Sequence, residues 1–428
     1  MKSCCSDDGP EKPTIQNTLD RREFLKRAAI LSASGIVMLS GHAWAAKIAG
    51  DSASRKRLVV IFMRGAVDGL NVVVPHGEPY YYEARPTIAI GRSGPGVLNL
   101  DGHFGMHPAL APMMPLWQDG NLAFVHACGS PDPSRSHFDA QEYMESGTPG
   151  VRTTSDGWMN RLLAVLPGNH DSTEAVSLGP TLPRILSGRM PVANVPTGRG
   201  ANNPMPTDRP RIEFNFDRMY AGNDALSVAY REGQAARKKL LADVAADMKV
   251  ADAGAPQPYG FSDDTARLAQ LIKRDPSIRI AFMALGGWDT HVNQGAANGQ
   301  LANHLRPLAE GVASLAKNLG PAWGDTVVIT MSEFGRTVHE NGNAGTDHGH
   351  GNVMWVAGGN VRGRRVYTRW PGLSQSELYQ GRDLAVTTDF RAVIAAILER
   401  HMGLNRAAIG RVFPGFSNSG NDMDTIVA

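Results

Sequence analysis

Leu58-Val59-Val60-Ile61-Phe62-Met63, trailed by Arg64-Gly65-Ala66-Val67-Asp68, is the stretch that decides the fold. A short apolar run rich in β-branched residues and closed by glycine reads as a buried strand. Four more runs share that character: Leu122 to Ala127, Ile278 to Leu285, Thr326 to Thr330 and Val353 to Ala357. Between Ile278 to Leu285 and Thr326 to Thr330, Leu301, Leu305, Leu308, Val312, Leu315 and Leu319 recur at steps of four and three. That spacing predicts a helix, and strand–helix–strand predicts a right-handed parallel crossover. A second helix is expected from Asp389 to His401, capped by Thr387 or Thr388, with Gly403 just past its last turn. The expected fold is α/β, a largely parallel sheet with helices on both faces.

A parallel sheet brings residues just beyond its strands to one edge, so groups distant in sequence converge there. Asp68, the Asp289/His291 pair, Glu333 and the group Asp347, His348 and His350 each lie at the end of one of the apolar runs. Carboxylates mixed with imidazoles suit a divalent ion, zinc or manganese foremost, and more than four candidates leave room for one ion or two. For the last group, the alternative is a polar glycine-rich loop. After Leu122 to Ala127 comes Ser134-Arg135-Ser136, then an expected helix from His137 to Glu145 stopped by Gly147. Ser136 and Ser134 are nucleophile candidates at a helix amino end, with simple capping as the alternative. The forked guanidinium of Arg135 or Arg336 matches a phosphate or sulfate oxygen pair. His107 and His137 are expected to support the site rather than ligate.

Residues 1–45 are expected to be an export signal: Arg21-Arg22-Glu23-Phe24-Leu25-Lys26 has twin-arginine form, Ala28 to Leu39 is mildly apolar, and Ala43-Trp44-Ala45 fits a cleavage site. The alternative, a membrane anchor, needs about 20 apolar residues, more than this stretch offers. The expectation is a periplasmic or secreted protein that meets the twin-arginine translocase in transit and has no stable membrane insertion after cleavage. The mature part, 46–428, is long enough for one large α/β domain, and 42% hydrophobic residues in the chain can fill its core. The net charge of +2, about +1 without the signal, gives no footprint for nucleic acid. Cys4 and Cys5 would leave with the signal, so Cys128 would stand alone.

The middle breaks the alternation of strands and helices. Leu182 to Arg211 contains Pro183, Pro191, Pro196, Pro204, Pro206 and Pro210, which predicts a long irregular loop. A helix is expected over Asp224 to Met248 and another near Thr265 to Arg274. Residues 180–275 are thus read as a loop and helical insertion over the crevice.

Taken in order, Arg64 to Asn71, Ser134 to Asp139, Gly287-Trp288-Asp289-Thr290-His291, Ser332-Glu333-Phe334-Gly335-Arg336 and Asp347-His348-Gly349-His350-Gly351 resemble the domain of unknown function family 1501. More distantly, the order is similar to the alkaline phosphatase and sulfatase superfamily. That resemblance implies hydrolysis of a phosphate or sulfate ester, with a small anionic ester or glycan-derived compound as substrate. It implies metal ligation by Asp68, Asp289 and His291, and by His348 or His350. Glu333 stands where the superfamily usually has an Asp-His pair, and Pro131 stands where a formylglycine sulfatase has its modified residue. The alternative the resemblance leaves open is a noncatalytic periplasmic protein that binds a metal or an anion on the same fold.

Overall fold

The computed structural model describes residues 56–428 apart from 93–95, 169, 171–172, 180, 196–218, 223, 225–226, 228–259 and 418–421. The signal at 1–45 and nearly all of the helix expected over Asp224 to Met248 lie outside the described residues.

Nine described strands form one sheet. They are β1 (Arg57–Met63), β2 (Leu122–Gly129), β3 (Ala175–Leu178), β4 (Ala193–Val195), β5 (Ile280–Leu285), β6 (Thr326–Ser332), β7 (Asn352–Gly358), β8 (Arg365–Tyr367) and the two-residue β9 (Thr388–Asp389). The order is β8-β2-β7-β6-β1-β5-β3-β4, with β9 beside β2. β1 runs parallel to both β5 and β6, which places it at the centre. β7 alone is reversed, antiparallel to β2 and β6.

That reversal decides where the histidine cluster lies. Asp347 to His350 precede β7 instead of following it, and because β7 runs backwards its start shares an edge with the carboxyl ends of β1, β5 and β6. Pairing of Arg336 with His348, and of Thr337 N–H with the Asp347 carbonyl at 2.9 Å, locks this segment to the chain leaving β6. Gly349 permits the contact: a Cβ there would stand 2.4 Å from the Arg336 carbonyl carbon.

Both faces of the sheet are covered. On β1, Leu58, Val60 and Phe62 enter one core with helices α2 (Trp158–Val165), α5 (Phe390–Arg400) and α6 (Arg406–Val412), while Val59, Ile61 and Met63 enter the other with α3 (Phe261–Arg274) and α4 (Gln300–Leu319). This is the alternation of a strand buried on both sides. The leucines and valine that predicted α4 are all buried. α1 (His137–Ser146) ends at left-handed Gly147, φ 69°.

Three expectations need correction. Asp389, not Thr387 or Thr388, caps α5, its Oδ1 accepting from Arg391 N–H at 2.9 Å, because Thr388 is committed to the sheet opposite Cys128. Leu182 to Arg211 is not irregular throughout: β4 lies within it and pairs with β3. These edge strands have three and four residues, too few to display a periodicity. And the 180–275 stretch is partly built into the domain, since it supplies β4 to the sheet and α3 against α4. Among the described residues no helix is long and apolar enough to cross a membrane, and Cys128 is a free, buried thiol.

Two predictions test this framework. Gly65, φ 118°, lies against the next crossover loop, where a Cβ would come 2.8 Å from the Asp289 nitrogen. Gly65→Ala should therefore cost about 1–3 kcal/mol in urea unfolding, whereas Gly286→Ala, with nothing within 4 Å of its Cβ, should cost far less. The second concerns His126 on β2, whose burial pushes its pKa down to about 4 while Nε2–H donates to the Val73 carbonyl at 2.9 Å. An imidazole neutral when folded and with a pKa near 6.5 when unfolded binds more protons unfolded, so stability must fall as pH drops from about 6.5 to about 4. His126→Gln, which keeps a donor for Val73, should make that limb shallower, with His107 still contributing in the same direction; an unchanged slope would refute the assignment.

Candidate metal centre

The loop after β1 turns through left-handed Gly65 and Ala66, φ 118° and 57°, and so aims its carbonyls inward. Arg336, beyond β6, receives them: Nη2 donates to Gly65 O and Nε to Ala66 O, both at 2.6 Å. The same guanidinium donates to Thr346 O at 3.0 Å, Trp288 O at 3.1 Å and Asp289 Oδ1 at 2.6 Å. Arg336 is 1% exposed and acts as the clamp that holds Asp289. The sequence-based expectation that it grips a substrate anion is corrected, because its donors face backbone carbonyls and this one carboxylate.

Around Asp289 the ring nitrogens gather. His137 Nε2 and His291 Nε2 lie 2.9 and 3.0 Å from His348 Nε2. Asp289 Oδ1 lies 3.0 Å from His291 Nε2, 3.4 Å from His348 Nε2 and 3.7 Å from His137 Nε2. The His137, Asp289 and His348 atoms all fall within 4.8 Å of one another. Ligand atoms about 2.0–2.1 Å from one tetrahedral ion stand about 3.3 Å apart, which these separations bracket.

The other ring nitrogens fix the tautomers. His348 Nδ1 is 2.9 Å from the Arg135 carbonyl, which can only accept, so the proton is on Nδ1 and the Nε2 lone pair is free. His137 Nδ1 donates to Glu333 Oε1 at 2.8 Å, and His291 Nδ1 to Asp347 Oδ1 at 3.2 Å. Both acids are ionised acceptors. Burial would raise the Glu333 carboxyl, but donors from His137, Gln141 and Gly65 outweigh it and hold it below the ordinary range. For Asp347, the Asn341 amide and then His291 do the same. Asp289 too is held low: burial opposes this, but Arg336 and the surrounding histidines prevail.

Three imidazole lone pairs and a carboxylate oxygen thus point at one place. Lone pairs at 3 Å repel unless a cation lies among them, and imidazoles oriented by an acid or carbonyl through Nδ1–H are the usual support of a metal ligand. The His137 pKa is raised, chiefly by the Glu333 hydrogen bond, while burial and then His137 itself lower that of His348.

The remaining candidates take other places. Asp68 is fully buried and paired with Arg85, Nη1 to Oδ2 at 2.6 Å and Nη2 to Oδ1 at 3.0 Å, with Gln294 donating to Oδ2 at 2.6 Å. Its oxygens are taken by a guanidinium and an amide, not left open for an ion. Glu333 and Asp347 stand behind His137 and His291. His350 packs its ring on Tyr379, centroids 4.6 Å apart, outside the converging set. Ser136 caps α1, its Oγ 3.5 Å from the Asp139 amide, and Ser134 Oγ accepts from the Ser136 amide at 3.3 Å. Arg135 Nε and Nη2 bind Asp383. His107 is buried against Ala296 O and Ala109 N–H, its pKa pushed down to about 4 by burial. His137, expected to support the site, lies within the converging set itself. Its signal was its place at the first helical position after the Ser136 cap, which fixes its ring at the crevice.

The family model described as "Protein of unknown function (DUF1501)" matches residues 55–413. The chain belongs to this family. No curated protein matches it. Among solved structures, the C-terminal periplasmic domain of EcEptC from Escherichia coli is 12% identical, with 72% of this chain and 73% of that chain covered at a TM-score of 0.34. A zinc complex of the same domain gives 12% identity, 72% and 74% coverage and 0.32. The lipoteichoic acid synthase LtaP from Listeria monocytogenes gives 9% identity, 81% and 72% coverage and 0.27. Likeness at this level carries no functional argument, so the chemistry of this DUF1501 chain is read from its own residues.

Separating the two acid types gives a direct test. Asp68→Ala leaves the buried Arg85 guanidinium without its carboxylate and should cost about 3–5 kcal/mol while leaving bound zinc per folded chain unchanged. His348→Ala should abolish the rise in Tm on adding zinc, because an ion bound only by the folded state stabilises it by mass action. Loss of zinc in the first variant, or its retention in the second, would show that the centre is misplaced.

Proposed function

We propose that the protein is a hydrolase of phosphate or sulfate esters, exported through the twin-arginine pathway, that works with a divalent ion held by His137, Asp289, His291 and His348. The observation that carries this reading is the convergence of three imidazole Nε2 lone pairs on one carboxylate oxygen, each tautomer fixed from behind. Three nitrogens and one oxygen suit zinc best, with manganese the next choice. One ion is favoured over two, since Arg85 already neutralises Asp68.

When bound, the ion would supply positive charge to the oxygens of the transferring group. The chain does the rest. Arg336 keeps Asp289 ionised and fixed in place. Glu333 holds the His137 ring through Nδ1–H, which aims its Nε2 at the place the ion would take. Ser136 precedes His137 at an exposed helix start, where amides favour an anion, and is the first candidate to attack the ester, with Ser134 second. The Ser136 hydroxyl makes only a capping contact with a described residue, and that favours the second reading, a noncatalytic periplasmic metal- or anion-binding protein.

Turnover separates the two. Zinc-loaded protein should hydrolyse a generic aryl phosphate, phosphodiester or aryl sulfate, and Ser136→Ala should lower kcat at least about a hundredfold with zinc content unchanged. Full activity in both Ser136→Ala and Ser134→Ala would assign the attack to water. No turnover by the metal-loaded wild type would leave the binding reading.

A further inference from the structure

Beside the metal centre, two arginines share one acid. Asp383 is fully buried, its Oδ2 accepting from Arg135 Nε at 3.0 Å and Nη2 at 2.5 Å, and its Oδ1 from Arg382 Nε at 2.9 Å. Two guanidinium groups share this one carboxylate, and Arg382 also helps to hold the nearby Asp347 carboxyl low. Neither Nη1 is bonded to any described residue, and the Arg382 side chain is 45% exposed.

This pair is built onto the ligand His348 from both sides. Arg135 supplies the carbonyl that orients the His348 ring, and Arg382 Nη2 donates to the His348 carbonyl. Arg382 is also presented rigidly. Gln380 and Gly381 both take left-handed φ, 54° and 64°, in a tight turn closed by Tyr379 N–H to Asp383 O at 2.8 Å, and Val338 N–H donates to Arg382 O at 3.2 Å. A non-glycine residue held at positive φ is sustained only where its surroundings enforce it. α1 starts shortly after Arg135, so the positive end of its dipole faces the same region.

The geometry points to an oxyanion subsite formed by Arg135 and Arg382 on Asp383, which grips the tetrahedral sulfate or phosphate group of the substrate beside the metal centre. Asp383 aligns the two forks, and the spare Nη1 donors are what a planar guanidinium uses to hold such a group. The function of this subsite in turnover rests on the ester-hydrolase reading, but its affinity for an oxyanion does not.

Calorimetric titration of the full chain with inorganic sulfate, and separately with inorganic phosphate, tests this on zinc-loaded protein and after chelation. The expected result is saturable binding that survives chelation and weakens at least about tenfold in Arg382→Gln, with zinc content unchanged and a partial recovery in Arg382→Lys. Arg135→Gln gives a second route should the first variant misfold. Equal affinity in wild type and both glutamine variants, or binding that vanishes with the zinc, would overturn the subsite. If binding depends on Arg382 but no ester is turned over, the subsite stands and the hydrolase reading falls.

Discussion

The Arg336 guanidinium donates to the carbonyls of Gly65, Ala66, Trp288 and Thr346 and to the carboxylate of Asp289, so one side chain gathers the loops after β1 and β5 and the segment leading into β7. Each carbonyl would otherwise be buried without a donor, and the cation would be buried without its charge partner. The arrangement is therefore cooperative: glycine at 65 admits the close approach, the left-handed turn aims the carbonyls, and Asp289 completes the charge. It also means that removing Asp289 strips the ion pair from Arg336 and weakens the fold even without metal. The histidines are the cleaner probes of ligation.

Carboxylates at this edge are divided by what neutralises them. Asp68 is matched by Arg85, Asp383 by Arg135 and Arg382, and Glu333 by a ring of neutral donors together with His137. Among these acids, only Asp289 directs its oxygen among imidazole lone pairs. Burying a carboxylate is costly unless a partner compensates, and of these acids Asp289 alone combines a guanidinium partner, Arg336 on Oδ1 at 2.6 Å, with imidazole nitrogens around the same oxygen.

The central strands were legible in the sequence because each carries an apolar run of about five residues or more, as β1 and β6 do, and α4 because its leucines hold one face for its whole length. β3 and β4 were not, since strands of four and three residues among prolines show no period. The direction of β7 was equally hidden, because a buried run reads the same either way. At the site, residue type and strand position picked out Asp289, His291 and His348. That Asp68, Glu333 and Asp347 stand outside this cluster was not legible, since it depends on Arg85, His137 and His291, partners brought in from distant segments. His137 was undervalued because a single histidine carries no spacing signal.

Zinc X-ray absorption on protein purified with its native metal, together with metal stoichiometry, probes the centre most directly. The account predicts one ion per chain with three imidazole nitrogens and one or more oxygens at about 2.0–2.1 Å. Two ions per chain, a shell with fewer than two imidazoles, or a folded protein that takes up no transition metal would contradict it.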